Sequence, residues 1–262
     1  MNVFFKNWFV RWMILPIGIV AALIWFAIHL EFPTCTFRYK LTAEVMTPDG
    51  LKTGSSVVDV TYDHSGDYGG GQQPYLKMVG DAVYLELGNK KNLVVTFSTW
   101  GEGKDFLRGS AGLTGYFAGV GRLNVYALPL RMFGLKWKFG SEDQLCRDYA
   151  SLGLGKKVDV PFVYLPTIVT FGDIHNPDTS KVVKPNEFGA EFDSGYELKR
   201  VTVETTNEPI VQGIENVLDW LPEKKKYWQQ HPIYRGLQVP LINNLGYDAF
   251  KGPGLFGNGA ML

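Results

Sequence analysis

An uncharged apolar run near the N-terminus constrains the architecture more than any other feature of this sequence. Residues 12–30 contain no Asp, Glu, Lys or Arg, and a helix needs about 20 mostly apolar residues to cross the hydrocarbon core of a bilayer. Trp8, Trp12 and Trp25 lie near the two ends of the run, as in the aromatic belts of spanning helices. The pattern predicts a tail at residues 1–11, a transmembrane helix at residues 12–30 and a large domain at residues 31–262.

The charges around this run indicate its orientation. Lys6 and Arg11 precede it and Glu31 follows it directly, which favours a cytoplasmic N-terminus and an extracytoplasmic domain under the positive-inside tendency. A cleaved signal peptide is the competing interpretation. The segment before Cys35 lacks the small-x-small cleavage pattern of such peptides, so we expect an uncleaved single-pass anchor that contacts the bilayer through residues 12–30.

Composition and motifs narrow the function classes. The 26 basic residues equal the 26 acidic residues, and a neutral chain is a poor candidate for nucleic-acid binding, which depends on a basic face. The sequence contains no Gly-x-Ser-x-Gly, His-Glu-x-x-His, P-loop or Cys-x-x-Cys motif, the common signatures of hydrolases, NTPases and redox proteins. We therefore predict no catalytic residues and no cofactor.

Alternating apolar residues predict that the domain begins with antiparallel hairpins. Residues 36–45 alternate with period two, as half-buried strands do. They lead into Thr-Pro-Asp-Gly at residues 47–50, which is strong turn chemistry, and the β-branched run at residues 55–62 should pair back. Residues 82–87 and 93–97 predict a second hairpin around residues 88–92.

The second half of the domain mixes short helices with strands. Ser-Glu-Asp-Gln at residues 141–144 resembles a capping box, so a helix should begin there. We predict strands at residues 158–171 and 196–205, the latter with a bulge at Lys199-Arg200, a short helix at residues 185–192, and an amphipathic helix at residues 210–221. The fold class is α+β: the transmembrane helix, then a mainly antiparallel β domain with a few short helices. The sequence allows subdomains at residues 31–135 and 141–230, joined near residues 133–140, and an irregular tail at residues 231–262.

Two loops could supply metal ligands. One holds Asp63, His64 and Asp67, and the other holds Asp173, His175 and Asp178. Carboxylates and imidazoles suit divalent metals, and ligands from both loops would indicate a metal-assisted hydrolase. The same residue types are also common in solvated loops, because Asx side chains bond to their own backbone.

A late cluster of aromatic residues is a candidate ligand-binding surface. Trp228 and Tyr234 lie among lysines, glutamines and a histidine, and aromatic faces beside amide groups can bind glycans or peptides. Core packing is the alternative role for such rings.

Two portions of the chain resemble a group of uncharacterised, membrane-anchored proteobacterial proteins. Residues 38–45 and 47–57 are similar to the opening of that group, and residues 165–171 and 196–221 are similar to its close. The resemblance implies a bacterial source and brings no activity, ligand or catalytic residue with it. Together with the predicted topology, it leads us to expect an inner-membrane protein with a periplasmic domain. The expected role is non-enzymatic binding or scaffolding with a protein partner in the envelope.

Cys35 and Cys146 are the two cysteines of the chain. Two thiols in an oxidising compartment tend to pair, so we predict a disulfide between them. The alternative is that Cys146 is a small, buried core residue with a free thiol.

Overall fold

The computed structural model describes residues 19–21, 34–63, 75–99, 128–136 and 141–224. The chain divides into two compact units, Met1–Pro33 and Thr34–Leu262. Residues 19–21, inside the predicted transmembrane run, are helical, and the remainder of that run lies outside the described residues. Within the described ranges, no helix has the length and apolar character needed to cross a bilayer.

The second unit is α+β and mainly antiparallel, as predicted. Its described elements, in chain order, are β1 (Thr34–Thr47), β2 (Gly50–Asp63), β3 (Tyr75–Val79), β4 (Val83–Gly88), β5 (Lys91–Thr99), α1 (Leu128–Phe133), α2 (Glu142–Ser151), β6 (Lys157–Asp159), β7 (Pro166–Phe171), β8 (Ser180–Val182), α3 (Phe188–Phe192) and β9 (Glu197–Thr205). One sheet has the strand order β3-β2-β1-β9-β6 and the other has the order β4-β5-β7-β8.

The strand order differs from the division into subdomains that the sequence allowed. Each sheet takes strands from both sides of residues 133–140, because β1 pairs with β9 and β5 pairs with β7. All residues from Thr34 onward fall in one compact unit. The physical reason is that β2 covers one edge of β1, and β9 pairs with the backbone groups at the other edge from Tyr39 to Met46.

Both predicted hairpins are confirmed. Strands β1 and β2 pair along their whole length, from Thr34–Asp63 to Thr47–Gly50. Gly50 closes that turn at φ +110°, a conformation that favours glycine. The β4–β5 turn is tighter than predicted, because Asn89 and Lys90 both adopt positive φ, as in the two-residue turns that match strand twist.

The predicted bulge is also present. In the pairing of β1 with β9, Glu44 lies opposite Arg200 and Val45 lies opposite Leu198. Lys199 is therefore the extra residue of the bulge. Because of it, the apolar side chains of the strand face the same side of the sheet before and after the bulge.

Two sequence predictions were wrong. Residues 158–171 form two strands in different sheets, β6 and β7, separated by a 3-10 turn at Phe162–Tyr164. Pro161 and Pro166 flank this turn, and proline cannot donate to a continuous ladder. Residues 210–220 form a 3-10 turn at Ile214–Asn216 and no α-helix, because Gly213 adopts φ +118°. A helical turn begins only at Leu221 and runs to Lys224, the last described residue. The apolar spacing of residues 210–221 reflects burial, since Leu218 and Leu221 are fully buried.

The core lies on the face of β1 that carries its odd-numbered residues. Phe37, Tyr39 and Leu41 are buried there in one cluster with residues of β4 and β5. Leu145 of α2 belongs to the same cluster. Helix α2 therefore packs on the inner face of β1, and the even-numbered residues of β1 point away from the core.

Candidate binding cleft beside strand β1

In the part of the chain that the structure describes, the N-terminal part of β1 pairs with a strand on one edge only. Strand β2 pairs with β1 from Thr34 onward, whereas pairing with β9 begins at Tyr39, opposite Thr205. Among the described residues, no strand pairs with the other edge of residues 34–38. The cleft described below lies at this position.

A disulfide fastens helix α2 beside this edge. Cys35 and Cys146 are bonded, with their Cα atoms 5.4 Å apart, and they are the pair that the sequence analysis predicted. The bond joins positions separated by 111 residues, and Cys35 is fully buried. Helix α2 begins after Ser141, but the Ser141 side chain does not make the predicted capping bond, and Gln144 donates to Asp148 instead.

Tyr149 joins α2 to β1 by two contacts. Its ring stacks on Phe37 with 4.4 Å between ring centroids, and its hydroxyl donates to the Arg38 carbonyl over 2.6 Å. Burial, and secondarily the negative charge of Asp59, raise the pKa of the Tyr149 phenol well above its ordinary value. The phenol is therefore a neutral hydrogen-bond donor throughout the physiological range.

The charged side chains at the cleft are paired with each other. The Arg38 guanidinium donates to both Asp59 carboxylate oxygens, over 2.6 Å and 2.8 Å, and to the Glu208 carbonyl over 3.1 Å. The hydrogen bond to Asp59 raises the pKa of Arg38 further. Outside the cleft lining, Lys40 binds the Glu208 carboxylate at 2.8 Å. The cleft therefore presents little net charge to a ligand.

These groups surround a cleft of about 630 Å³, which we call the β1 cleft. Its lining is Thr36–Arg38 of β1, Asp59 of β2, Cys146, Tyr149 and Ala150 of α2, Gly153 and Leu154 after that helix, and residues 205–207. Its volume is typical of ligand sites. The described lining offers hydroxyl and amide groups at Thr36 and Asn207 and apolar surface at Phe37 and Leu154, which can form hydrogen bonds and apolar contacts with a ligand.

The loop at residues 173–178 lies elsewhere and is organised by its own backbone. The Asp173 carboxylate accepts from the His175 amide over 3.0 Å, and the Asn176 side chain accepts from the Asp178 amide over 3.1 Å. The His175 ring contacts Asp219 instead, with 3.0 Å between Nδ1 and Oδ2, and both side chains are largely exposed. Among the described residues, no group of three or more metal-ligating side chains is close enough to hold an ion.

The described residues do not test the other candidate site residues named from the sequence. Asp63 pairs with Thr34 through its backbone, but its side chain, His64 and Asp67 lie outside the described residues. Trp228 and Tyr234 lie outside them as well. The proposals that involve these residues stay predictions from the sequence.

Sequence reasoning missed Arg38, Asp59 and Tyr149. A signal for the first two was present, because the turn at residues 47–50 fixes the hairpin register and places residue 38 opposite residue 59. Opposite charges at facing positions of a hairpin stabilise each other. Tyr149 gave no comparable signal, since its contacts with β1 join residues more than 100 positions apart.

The comparisons with known proteins give no relatives for this chain. No protein-family model matches it, and neither the curated proteins nor the solved structures include a significant match. The function is therefore argued from the chain's own residues.

Proposed function

We propose that this protein is a non-enzymatic binding or scaffolding protein of the bacterial cell envelope that holds a protein partner in the β1 cleft. Residues 12–30 anchor it in the inner membrane, residues 1–11 remain in the cytoplasm, and the domain lies in the periplasm. The uncharged apolar run supports the anchor. The Cys35–Cys146 bond supports an oxidising compartment, because disulfides persist there and are rare in reducing ones.

The observation that carries the binding role is the composition of the β1 cleft. It has the volume of a ligand site, and the charged side chains of its described lining, Arg38 and Asp59, neutralise each other. That lining offers no nucleophile held by a general base. Such a surface can retain a ligand, and it lacks the paired groups that acid–base or covalent catalysis needs.

One contact favours a second candidate function, the metal-assisted hydrolase. Asp219 contacts Nδ1 of His175, which resembles the way carboxylates orient metal-binding histidines through their second ring nitrogen. On this hypothesis Asp63, His64 and Asp67 would supply further ligands. Stoichiometric zinc or manganese in the purified full-length protein, lost in the His175→Ala variant, would favour the hydrolase over the binding protein.

The anchor is tested by fractionation of native membranes. We expect the full-length protein to remain in the pellet through high salt and alkaline carbonate and to leave only with detergent. Release of a shortened, soluble form would show that the apolar run is a cleaved signal peptide.

The binding role is tested by purification in mild detergent followed by identification of co-purifying proteins. Leu154 lines the cleft and is 67% exposed, whereas Val163 is 68% exposed and lies outside the cleft lining. A partner that uses the cleft should be lost from Leu154→Glu and retained by Val163→Glu. Equal recovery from both variants, or no reproducible partner of the unmodified protein, would contradict the proposal.

A further inference from the structure

The direction of the main-chain groups at the open edge of β1 can be worked out from the hydrogen bonds around it. The Arg38 carbonyl points toward this edge, because the Tyr149 hydroxyl and the Thr206 amide donate to it over 2.6 Å and 3.4 Å. Alternate residues of a strand direct their N–H and C=O groups to the same side. The main-chain groups of Thr34 and Thr36 therefore face the same open edge as Arg38.

Strand β9 gives an independent check on this assignment. The Thr205 amide donates to Lys156 over 3.0 Å and its carbonyl accepts from Gly155 over 2.8 Å, so the main chain of Thr205 faces away from β1. Its pair with Tyr39 is then of the non-hydrogen-bonded kind, and the next pair, Lys40–Glu204, is hydrogen-bonded. Lys40 has the same parity as Thr36, so both arguments assign the Thr36 groups to the open edge.

Among the described residues, helix α2 and Thr206 bond to this edge at the Arg38 carbonyl, and the stretch Thr34–Thr36 before it carries none of the devices by which proteins usually protect exposed strands. Such devices are a lysine aimed outward, a proline, a bulge or a covering element. Among the described residues the stretch from Thr34 to Arg38 is regular, and its pairing with β2 has no register break. Thr34 and Thr36 are exposed. The edge continues the β1–β9 ladder past the point where β9 ends.

We infer that the β1 cleft binds an extended polypeptide segment of the partner, which adds to the edge of β1 at Thr34–Thr36 as a strand in line with β9. This inference rests on the proposed binding function and specifies its partner chemistry. Among the described residues, no strand pairs with the main-chain groups of Thr34 and Thr36 at this edge, and such a row of donors and acceptors recognises an extended peptide. The Arg38 carbonyl is already bonded to Tyr149 and Thr206, so Thr34 to Thr36, at a rise of about 3.4 Å per residue, offers room for roughly three peptide residues.

The walls of the cleft set the side chains that such a segment should carry. Arg38 and Asp59 neutralise each other, so the described lining offers no unpaired charge to attract a charged peptide. The helix side presents Tyr149, Ala150 and the exposed Leu154. The segment should therefore be mainly uncharged and direct an apolar side chain toward α2.

The test uses photo-crosslinking of the full-length protein in native membranes. Asn207, which lines the cleft, is replaced with p-benzoylphenylalanine, and this background is combined with Thr36→Pro or Thr36→Val. Proline removes the N–H that faces the open edge without breaking a bond to β2. Both substitutions remove the Thr36 hydroxyl, which contacts the Thr61 hydroxyl over 2.8 Å, but valine keeps the N–H. Thr34→Pro and Thr34→Val form a second matched pair.

The expected result is an adduct with another protein that persists in the valine variants and falls at least tenfold in the proline variants. Formation of the Cys35–Cys146 bond, read on a non-reducing gel, checks that each variant folds. Equal adducts in proline and valine variants would overturn strand addition and leave the proposed function standing. Crosslinks only within the chain or to a second copy would overturn it as well. Absence of both an adduct and a Leu154-dependent partner would overturn the proposed function too.

Discussion

The β1 cleft and the loop at residues 173–178 both carry polar residues, but they are built in different ways. In the loop, the Asp173 and Asn176 side chains bond to backbone amides two residues away. In the cleft, Arg38 binds Asp59 across a hairpin, and Tyr149 reaches Arg38 from a helix 111 positions away in sequence. The polar side chains of the loop find hydrogen-bond partners within the loop itself. The cleft, by contrast, exists only when the whole domain is folded.

This difference separates residues that look functional from residues that form a site. Asp, Asn and Pro in a loop attract attention as ligands, yet they are also what a tight loop uses for its own hydrogen bonds. The cleft residues are unremarkable in sequence and converge only through tertiary packing. Substitutions in the cleft should therefore lower the free energy of unfolding, and substitutions in the loop should change it little.

The largest effect is expected from the disulfide. Cys146→Ser should lower the free energy of unfolding by about 2–5 kcal/mol, because the reduced chain regains the loop entropy that the bond removes. Denaturant unfolding of the full-length protein in mild detergent measures the loss. Cys35→Ser should give the same value, and the double variant should add nothing. An unchanged unfolding midpoint would contradict the importance of this link for the cleft.

Tyr149→Phe should cost about 1 kcal/mol, the usual net value of one hydrogen bond, because the ring still stacks on Phe37. The effect should depend on pH. The folded-state pKa of the phenol is raised above the ordinary value of 10.0, so the unfolded chain loses this proton first. The contribution of the Tyr149 phenol to the free energy of unfolding is complete below about pH 10 and is lost as pH rises through the folded-state pKa. The difference in free energy of unfolding between wild type and Tyr149→Phe should therefore narrow above pH 10. A constant difference would contradict the hydrogen bond from the Tyr149 hydroxyl to the Arg38 carbonyl.

Asp59→Asn should cost roughly 0.5–1 kcal/mol, since the pair with Arg38 is bidentate but partly exposed. A double-mutant cycle with Arg38→Gln separates the coupling between the two side chains from their individual effects. Rising salt should shrink the coupling, because partly exposed charges are screened. A coupling of zero at low salt would show that the pair does not help to order the cleft wall.

The smallest effect is expected at the loop. His175→Ala and Asp219→Asn should each change the free energy of unfolding by less than about 0.5 kcal/mol, because both side chains are more than half exposed. Thermal unfolding of the two variants beside wild type measures this. A loss comparable to that of Cys146→Ser would mean that the loop is as integrated as the cleft and would erase the contrast between the two regions.

The sequence was most informative where structure is decided locally. The turn at residues 47–50 fixes the β1–β2 register, and the broken alternation at Lys199-Arg200 marks a true bulge. It was misleading where one apolar pattern fits two conformations: residues 210–221 are spaced like a helix stripe, but Gly213 turns the chain. The sequence could not predict which strand pairs with the second edge of β1. The pairing with β9 rather than with a nearer strand depends on contacts across more than 150 residues.

The disulfide also has a mechanical consequence. A pull on the chain from the residues before Thr34 would load the domain at the first rung of β1, opposite Asp63. Without a cross-link, β1 would peel from β2 one pair at a time, as a zipper opens. Because Cys35 is the second residue of the strand, the covalent bond transfers that tension to α2 almost at once. Further separation would then require the strand and the helix to be dragged out of the core together.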